Sequence, residues 1–122
     1  MPLPPTADFF QFSTALTAAE RQKLGELEEF LTQHVRPHLA TWWERAQSPV
    51  HLRPMLAELQ LDDDPALLDE TGQPRAIYRG FRNFVLSRCD LSVGMLYDGQ
   101  VGMFRTVVTQ GGSPEQRERF DR

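Results

Sequence analysis

Apolar residues recur at helical spacing along most of this chain, which restricts it to a packing of helices. Leu24, Leu27, Phe30, Leu31 and Val35 stand at three- and four-residue steps, with Glu26, Glu28 and Glu29 mainly to the other side. One stripe of that helix therefore faces a core. Its start is marked by Thr17-Ala18-Ala19-Glu20, a capping box in which each side chain satisfies a backbone N–H that the first turn leaves free. Gly25 weakens the helix by roughly 1 kcal/mol relative to alanine.

The same signals divide the rest of the chain. Pro37 lacks an amide hydrogen and kinks this helix or opens a second one, yet Leu39, Trp42, Trp43 and Ala46 keep an amphipathic pattern, so the helix resumes. Ser48-Pro49 reads as an N-cap with proline at the first helical position, followed by Leu52, Met55, Leu56 and Leu59, with Pro54 disturbing the middle. Asp62 to Pro65 and Thr71 to Pro74 punctuate a loop of about ten to fourteen residues, long by ordinary loop statistics, in which nothing reads as a strand. From Arg75 onward Ile77, Phe81, Phe84 and Val85 mark one helix face, while Arg75, Arg79 and Arg82 share another.

The most apolar segment follows. From Leu91 to Val108, Val93, Leu96, Tyr97, Val101, Phe104 and Val108 line one stripe, and Met95, Met103 and Val107 spread apolar surface around the rest, as expected of a central helix. Gly94, Gly99 and Gly102 fit a place where other backbones or a ligand come close. Gly111-Gly112 ends the segment, and Ser113-Pro114-Glu115-Gln116 starts a last helix that runs to the chain end. At the other end, Pro2, Pro4 and Pro5 precede Phe9, Phe10 and Phe12. Residues 1–13 are expected to form an extended arm whose aromatic rings wrap back on the domain or pack on a neighbouring chain.

With 122 residues, 40% hydrophobic and 25% charged, the chain suits a single core. A net charge of -4 lacks the basic excess that phosphate backbones demand, so nucleic acid is not an expected partner. The lone Cys89 cannot form an internal disulfide, and no stretch has the form of a signal peptide or the length of a membrane span. A cytoplasmic location is the simplest expectation.

Two blocks carry a family resemblance. Leu16 to Leu61, "LTAAERQKLGELEEFLTQHVRPHLATWWERAQSPVHLRPMLAELQL", and Leu86 to Arg119, "LSRCDLSVGMLYDGQVGMFRTVVTQGGSPEQRER", resemble the N-terminal helical domain of acyl-CoA dehydrogenases in motif order, spacing and cap chemistry. The resemblance implies an all-α fold, a multi-helix up-and-down type bundle over residues 14–122. In complete members a β-domain and a C-terminal four-helix domain follow, FAD and the acyl-CoA thioester sit among the three, and a C-terminal glutamate removes the α-proton while hydride passes to the flavin. Arg122 falls where such members step into the β-domain. By this resemblance residues 1–122 are a catalytically incomplete front piece, with FAD in the complete enzyme and no cofactor, metal or catalytic residue expected in this chain alone. A free-standing helical interaction module derived from the domain is the alternative, and a surface left uncovered would favour a homodimer.

The resemblance also places Gly94, Tyr97 and Asp98 on the helix that lines the acyl pocket. The residues by themselves equally allow Tyr97 in the core and Asp98 in water. Asp62-Asp63-Asp64-Pro65 stands where the family carries a glycine-rich loop, and Gly94 where glutaryl-CoA-type members carry an arginine, so a dicarboxylic acyl substrate loses support. Asp98 at the pocket wall would suit a neutral or cationic acyl tail. His34 and His38 have a metal-ligand spacing without a third ligand. Asp62, Asp64, Asp69 and Glu70 read as a solvated acidic loop instead of a calcium loop. Arg75, Arg79, Arg82 and Arg88 read as a solvated helix face, or as a grip for CoA phosphates or an acidic partner. Cys89 reads as a small buried residue. Trp42 and Trp43 point about 100° apart on a helix, so one of them seals an edge or interface.

Overall fold

The computed structural model describes residues 8–120. Before the first helix, a 3-10 turn at Phe12–Ala15 is tied back by Asp8, which accepts from the backbone N–H of Ser13 at 3.1 Å and from its hydroxyl. Phe9, Phe10 and Phe12 touch one another edge-on or tilted and stay exposed. Residues 1–7 of the expected arm lie outside the described residues.

Helix α1 spans Ala18–His34, and its capping box is complete. Glu20 N donates to Thr17 Oγ1 at 3.1 Å and Thr17 N to Glu20 Oε2 at 2.7 Å. Leu27, Phe30 and Leu31 face the core as their spacing predicts, but Glu28 is buried as well. Arg36 and Arg88 donate to its Oε1 at 2.8 and 3.1 Å, so the expectation of a solvent-side Glu28 is corrected. Two cations brought in by later segments make an acid tolerable there. Pro37 falls in a 3-10 turn, Arg36–His38, and helix α2, Leu39–Glu44, follows directly.

Helix α3, Leu52–Glu58, begins later than Ser48-Pro49 suggests. Those residues form a preceding turn in which Leu52 N donates to the Pro49 carbonyl at 3.0 Å. The late start places Pro54 in the first helical turn, where a missing N–H forfeits no intrahelical bond, so Pro54 does not disturb the helix. The loop beyond holds a 3-10 turn at Pro65–Leu67 and a single bridge between Leu68 and Pro74. Gly72 takes a left-handed φ of 76°, which suits glycine at this tight return.

Helix α4, Ala76–Cys89, buries Tyr78, Arg82, Val85 and Leu86. The face is rotated by about one residue from the Ile77/Phe81/Phe84/Val85 stripe expected from hydrophobicity alone. Ile77 and Phe81 instead flank a small cluster of Leu16, Leu67 and Tyr78, while Phe84 is exposed. Two polar-tipped side chains turn inward because partners await them on the preceding loop. The main core joins Leu27, Leu31 and Val35 to Leu52, Leu56, Leu61, Val85, Leu86 and Val93.

One continuous helical stretch from Leu91 to Gly111 closes this core. It runs as α5, Leu91–Asp98, a π-turn at Gly99–Phe104, and α6, Arg105–Gly111. Asp90 caps it through Val93 N at 3.0 Å. The helical spacing of this segment did not announce the π-turn. At its end a Cβ on Gly112 would lie 2.4 Å from the Val108 carbonyl oxygen, a close approach that requires glycine. Helix α7, Pro114–Phe120, opens with the second capping box, Ser113 N to Gln116 Oε1 at 2.8 Å and Gln116 N to Ser113 Oγ at 3.3 Å.

Candidate functional site

The loop from Leu59 to Asp64 is stitched to four helical segments. Lys23 of α1 donates to the Leu59 carbonyl at 3.2 Å and pairs with Asp64 at 2.9 Å. The Tyr78 hydroxyl donates to the Leu61 carbonyl at 2.8 Å. Asp62 accepts from the Arg82 guanidinium of α4 and the Tyr97 hydroxyl of α5, and Asp63 accepts from Arg105 of α6 at 2.6 Å. Of the acidic loop expected to be solvated, Asp69 and Glu70 are exposed, but Asp62 and Asp64 are drawn into contacts with the helices, which corrects that part of the expectation. Asp62 holds α4 and α5, Asp63 holds α6 and Asp64 holds α1, and the Asp62 side chain keeps only 9% of its surface exposed.

Burial, reinforced by the Asp62 charge, pushes the Tyr97 phenol far above its ordinary value, and Tyr78 is raised for the same two reasons. Both stay protonated donors. The Arg82 guanidinium also lies 5.0 Å from the centre of the Tyr97 ring, so one cation meets both a carboxylate and a π-face. With only 3% of its surface exposed, Arg82 leaves the arginine face predicted for α4. Arg75 clasps Glu20 with Nε at 2.8 Å and Nη2 at 2.7 Å, which holds the Glu20 carboxyl below its usual value. Arg88 joins Glu28 from a further direction, and Arg79 is exposed, so the four arginines do not converge on one site.

Gly94, Tyr97 and Asp98 point in three directions. A Cβ on Gly94 would meet Ser87 Oγ at 2.7 Å, so this glycine lets α5 approach α4. Tyr97 lines a cleft of about 680 Å³ between α3 and the π-turn, together with Leu56, Leu61, Leu96, Val101 and Phe104. Asp98 lines a separate polar cleft of about 350 Å³ with Arg79, Asn83 and Thr106. Its carboxylate folds over Gly102, where a Cβ would approach Oδ1 to 2.6 Å.

The opposite flank of the same helix corrects the expectation of a central helix, because the apolar surface read there from sequence is left uncovered. Leu91, Met95, Met103 and Val107 are all exposed, at four-residue multiples. In an undisturbed α-helix residues four apart drift by about 40° per step. A π-turn, with more residues per turn, takes back that drift. Gly99 lies between the two methionines, and the Met103 methyl reaches to 3.8 Å of where its Cβ would stand. The available signal was an apolar surplus beyond one helical stripe, combined with three glycines.

The remaining candidates have local roles. The rings of His34 and His38 lie 5.0 Å from Phe30 and 5.5 Å from Trp42. Among the described residues no group of three or more His, Cys, Asp or Glu could hold a metal ion. Trp42 packs against the core, whereas Trp43 is exposed and donates to Asp90 at 3.1 Å, bracing the α5 cap. Cys89 is half-buried, and burial raises its thiol.

Cap chemistry, the closed helical core and an uncovered apolar flank define an all-α domain with one helix side left unpartnered. The family model for "Acyl-CoA dehydrogenase, N-terminal domain" matches residues 17–120, from the first capping box to the end of α7, and the chain belongs to that family. No curated relative and no solved structure matches the chain. No helix among the described residues is long and apolar enough to cross a membrane.

Proposed function

We infer that residues 14–122 are the front domain of an FAD-dependent acyl-CoA dehydrogenase-like oxidoreductase, preceded by an arm over residues 1–13, and that this domain supplies one wall of the acyl site and a packing surface for further domains. The observation that carries the reading is the Leu91/Met95/Met103/Val107 flank, an exposed apolar strip on a helix that buries Val93, Tyr97 and Val108 on another side. Such a strip is stable in water only at a cost, and covering it with an acyl chain or a neighbouring domain recovers about 25 cal/mol per Å² of apolar surface. Tyr97 supports the wall from behind, and Gly94 sets its closeness to α4.

Three of the four arginines that could grip a phosphate are already engaged within the chain. A pyrophosphate is best gripped by several converging guanidinium or N–H donors, whereas Arg75, Arg82 and Arg88 are each paired with a carboxylate of this chain and Arg79 stands exposed apart from them. Under this proposal flavin contacts and the proton-abstracting glutamate belong to the β- and C-terminal helical domains, and this chain contributes water exclusion and shape.

The test is to purify the natural gene product that carries this domain and add acyl-CoA thioesters without oxygen. Loss of oxidised-flavin absorbance supports the reading. A colourless protein that releases no flavin on denaturation overturns it and favours the free-standing interaction module.

A further inference from the structure

We propose that Asp62 and Asp63 are positioning residues that lock the π-turn of the 91–111 helix in register, and so decide which side chains stand on its exposed apolar flank. The two neighbouring carboxylates grip the helix on either side of the turn. Asp62 holds the hydroxyl of Tyr97, two residues before Gly99, and Asp63 holds Arg105 at 2.6 Å, one residue after Phe104.

The geometry makes the grip and the turn mutually dependent. Tyr97 and Arg105 are eight residues apart, which in a plain α-helix leaves their side chains about 80° out of line. The π-turn removes most of that offset, so both side chains reach one short loop. The loop cannot simply follow a shifted helix. Leu59 and Asp64 are held by Lys23 of α1, and Leu61 by Tyr78 of α4. Asp62 is further fixed by Arg82, whose Nε and Nη2 both donate to Asn83 at 3.1 and 2.9 Å.

If the turn relaxed to an α-helix, the part beyond Phe104 would rotate by about one residue, roughly 100°. Thr106 would then take the place of Val107, and Gly102 would move toward that of Met103. The flank would lose its apolar continuity, and Arg105 would swing off Asp63. Specificity for an acyl chain thus depends on carboxylates that never touch it, a consequence resting on the function proposed above.

The variants Tyr97→Phe and Asp63→Asn each remove one grip while leaving the pair between Asp62 and the buried Arg82 intact. Amide hydrogen exchange on the full chain reads the lock. The expected result is an increase of about tenfold or more at residues 99–104 in the double variant, with α1 and α4 unchanged and Asp63→Glu restoring protection. Unchanged exchange at 99–104, or an equal rise throughout the molecule, overturns the lock. In the flavin-loaded gene product the same double variant is expected to change the long-to-short acyl-chain ratio of kcat/KM by about fivefold at constant flavin content. Faster local exchange with an unchanged ratio leaves the lock standing and refutes the flank as acyl wall.

Discussion

Removing one of two adjacent aspartates is expected to unbalance the domain, and removing the other to leave it nearly intact. Asp62→Ala strips the carboxylate from Arg82, whose side chain is 4% exposed, and leaves the Tyr97 hydroxyl without its acceptor. An uncompensated buried charge of this kind costs about 3–5 kcal/mol. A small domain has only about 5–15 kcal/mol in total, so the melting point should fall by roughly 15 °C or more. Asp63→Ala breaks an ion pair whose side chains are 39% and 58% exposed, and pairs in that setting contribute about 0–1 kcal/mol. Urea unfolding followed by far-UV circular dichroism, with a common m-value, compares the two directly. Adding Arg82→Met to Asp62→Ala should recover a large part of the loss, because the charge that made the deletion costly is gone. Equal effects of Asp62→Ala and Asp63→Ala, or no recovery in the double variant, would refute the assignment of Asp62 as the counterion of the buried Arg82.

Other consequences are smaller in scope. The carboxyl of Glu20 is lowered in the folded protein from an ordinary value of 4.5 by Arg75, so its stabilisation is present above that value and disappears as pH falls through the lowered one. Wild type should therefore exceed Glu20→Gln in stability at neutral pH, with the gap closing under acid; a gap independent of pH would contradict this. Gly112→Ala forces a Cβ against the Val108 carbonyl and should cost about 1–3 kcal/mol in thermal unfolding, more than Gly80→Ala, where nothing lies within 4 Å. Because burial raises the Cys89 thiol, a thiol reagent should label native protein much more slowly than urea-unfolded protein at the same pH, and equal rates would show the side chain to be open.

Much of the helical frame was legible in the sequence because its signals are local. Thr17 with Glu20, and Ser113 with Gln116, encode helix starts within four residues, and both boxes form as read. Leu27, Phe30 and Leu31 encode a buried face by spacing alone. Order and spacing of those same local signals also sufficed to identify the family. Errors arose where the deciding partner lies far along the chain. Glu28 reads as a solvent acid until Arg88 arrives from α4, and Asp62 reads as a loop acid until Arg82 and Tyr97 close on it.

The candidate site divides along the same line. Sequence determined that the segment from Leu91 onward is apolar, helical and rich in glycine, since each of those properties belongs to the residues themselves. Only tertiary structure decided which of its sides is covered. The π-turn depends on a loop fixed by α1 and α4, and it is the turn that brings Met95 and Met103 into line while Tyr97 faces inward. Periodicity reports a helix's own rotation of about 100° per residue, and it holds no record of a rotation imposed by contacts from elsewhere.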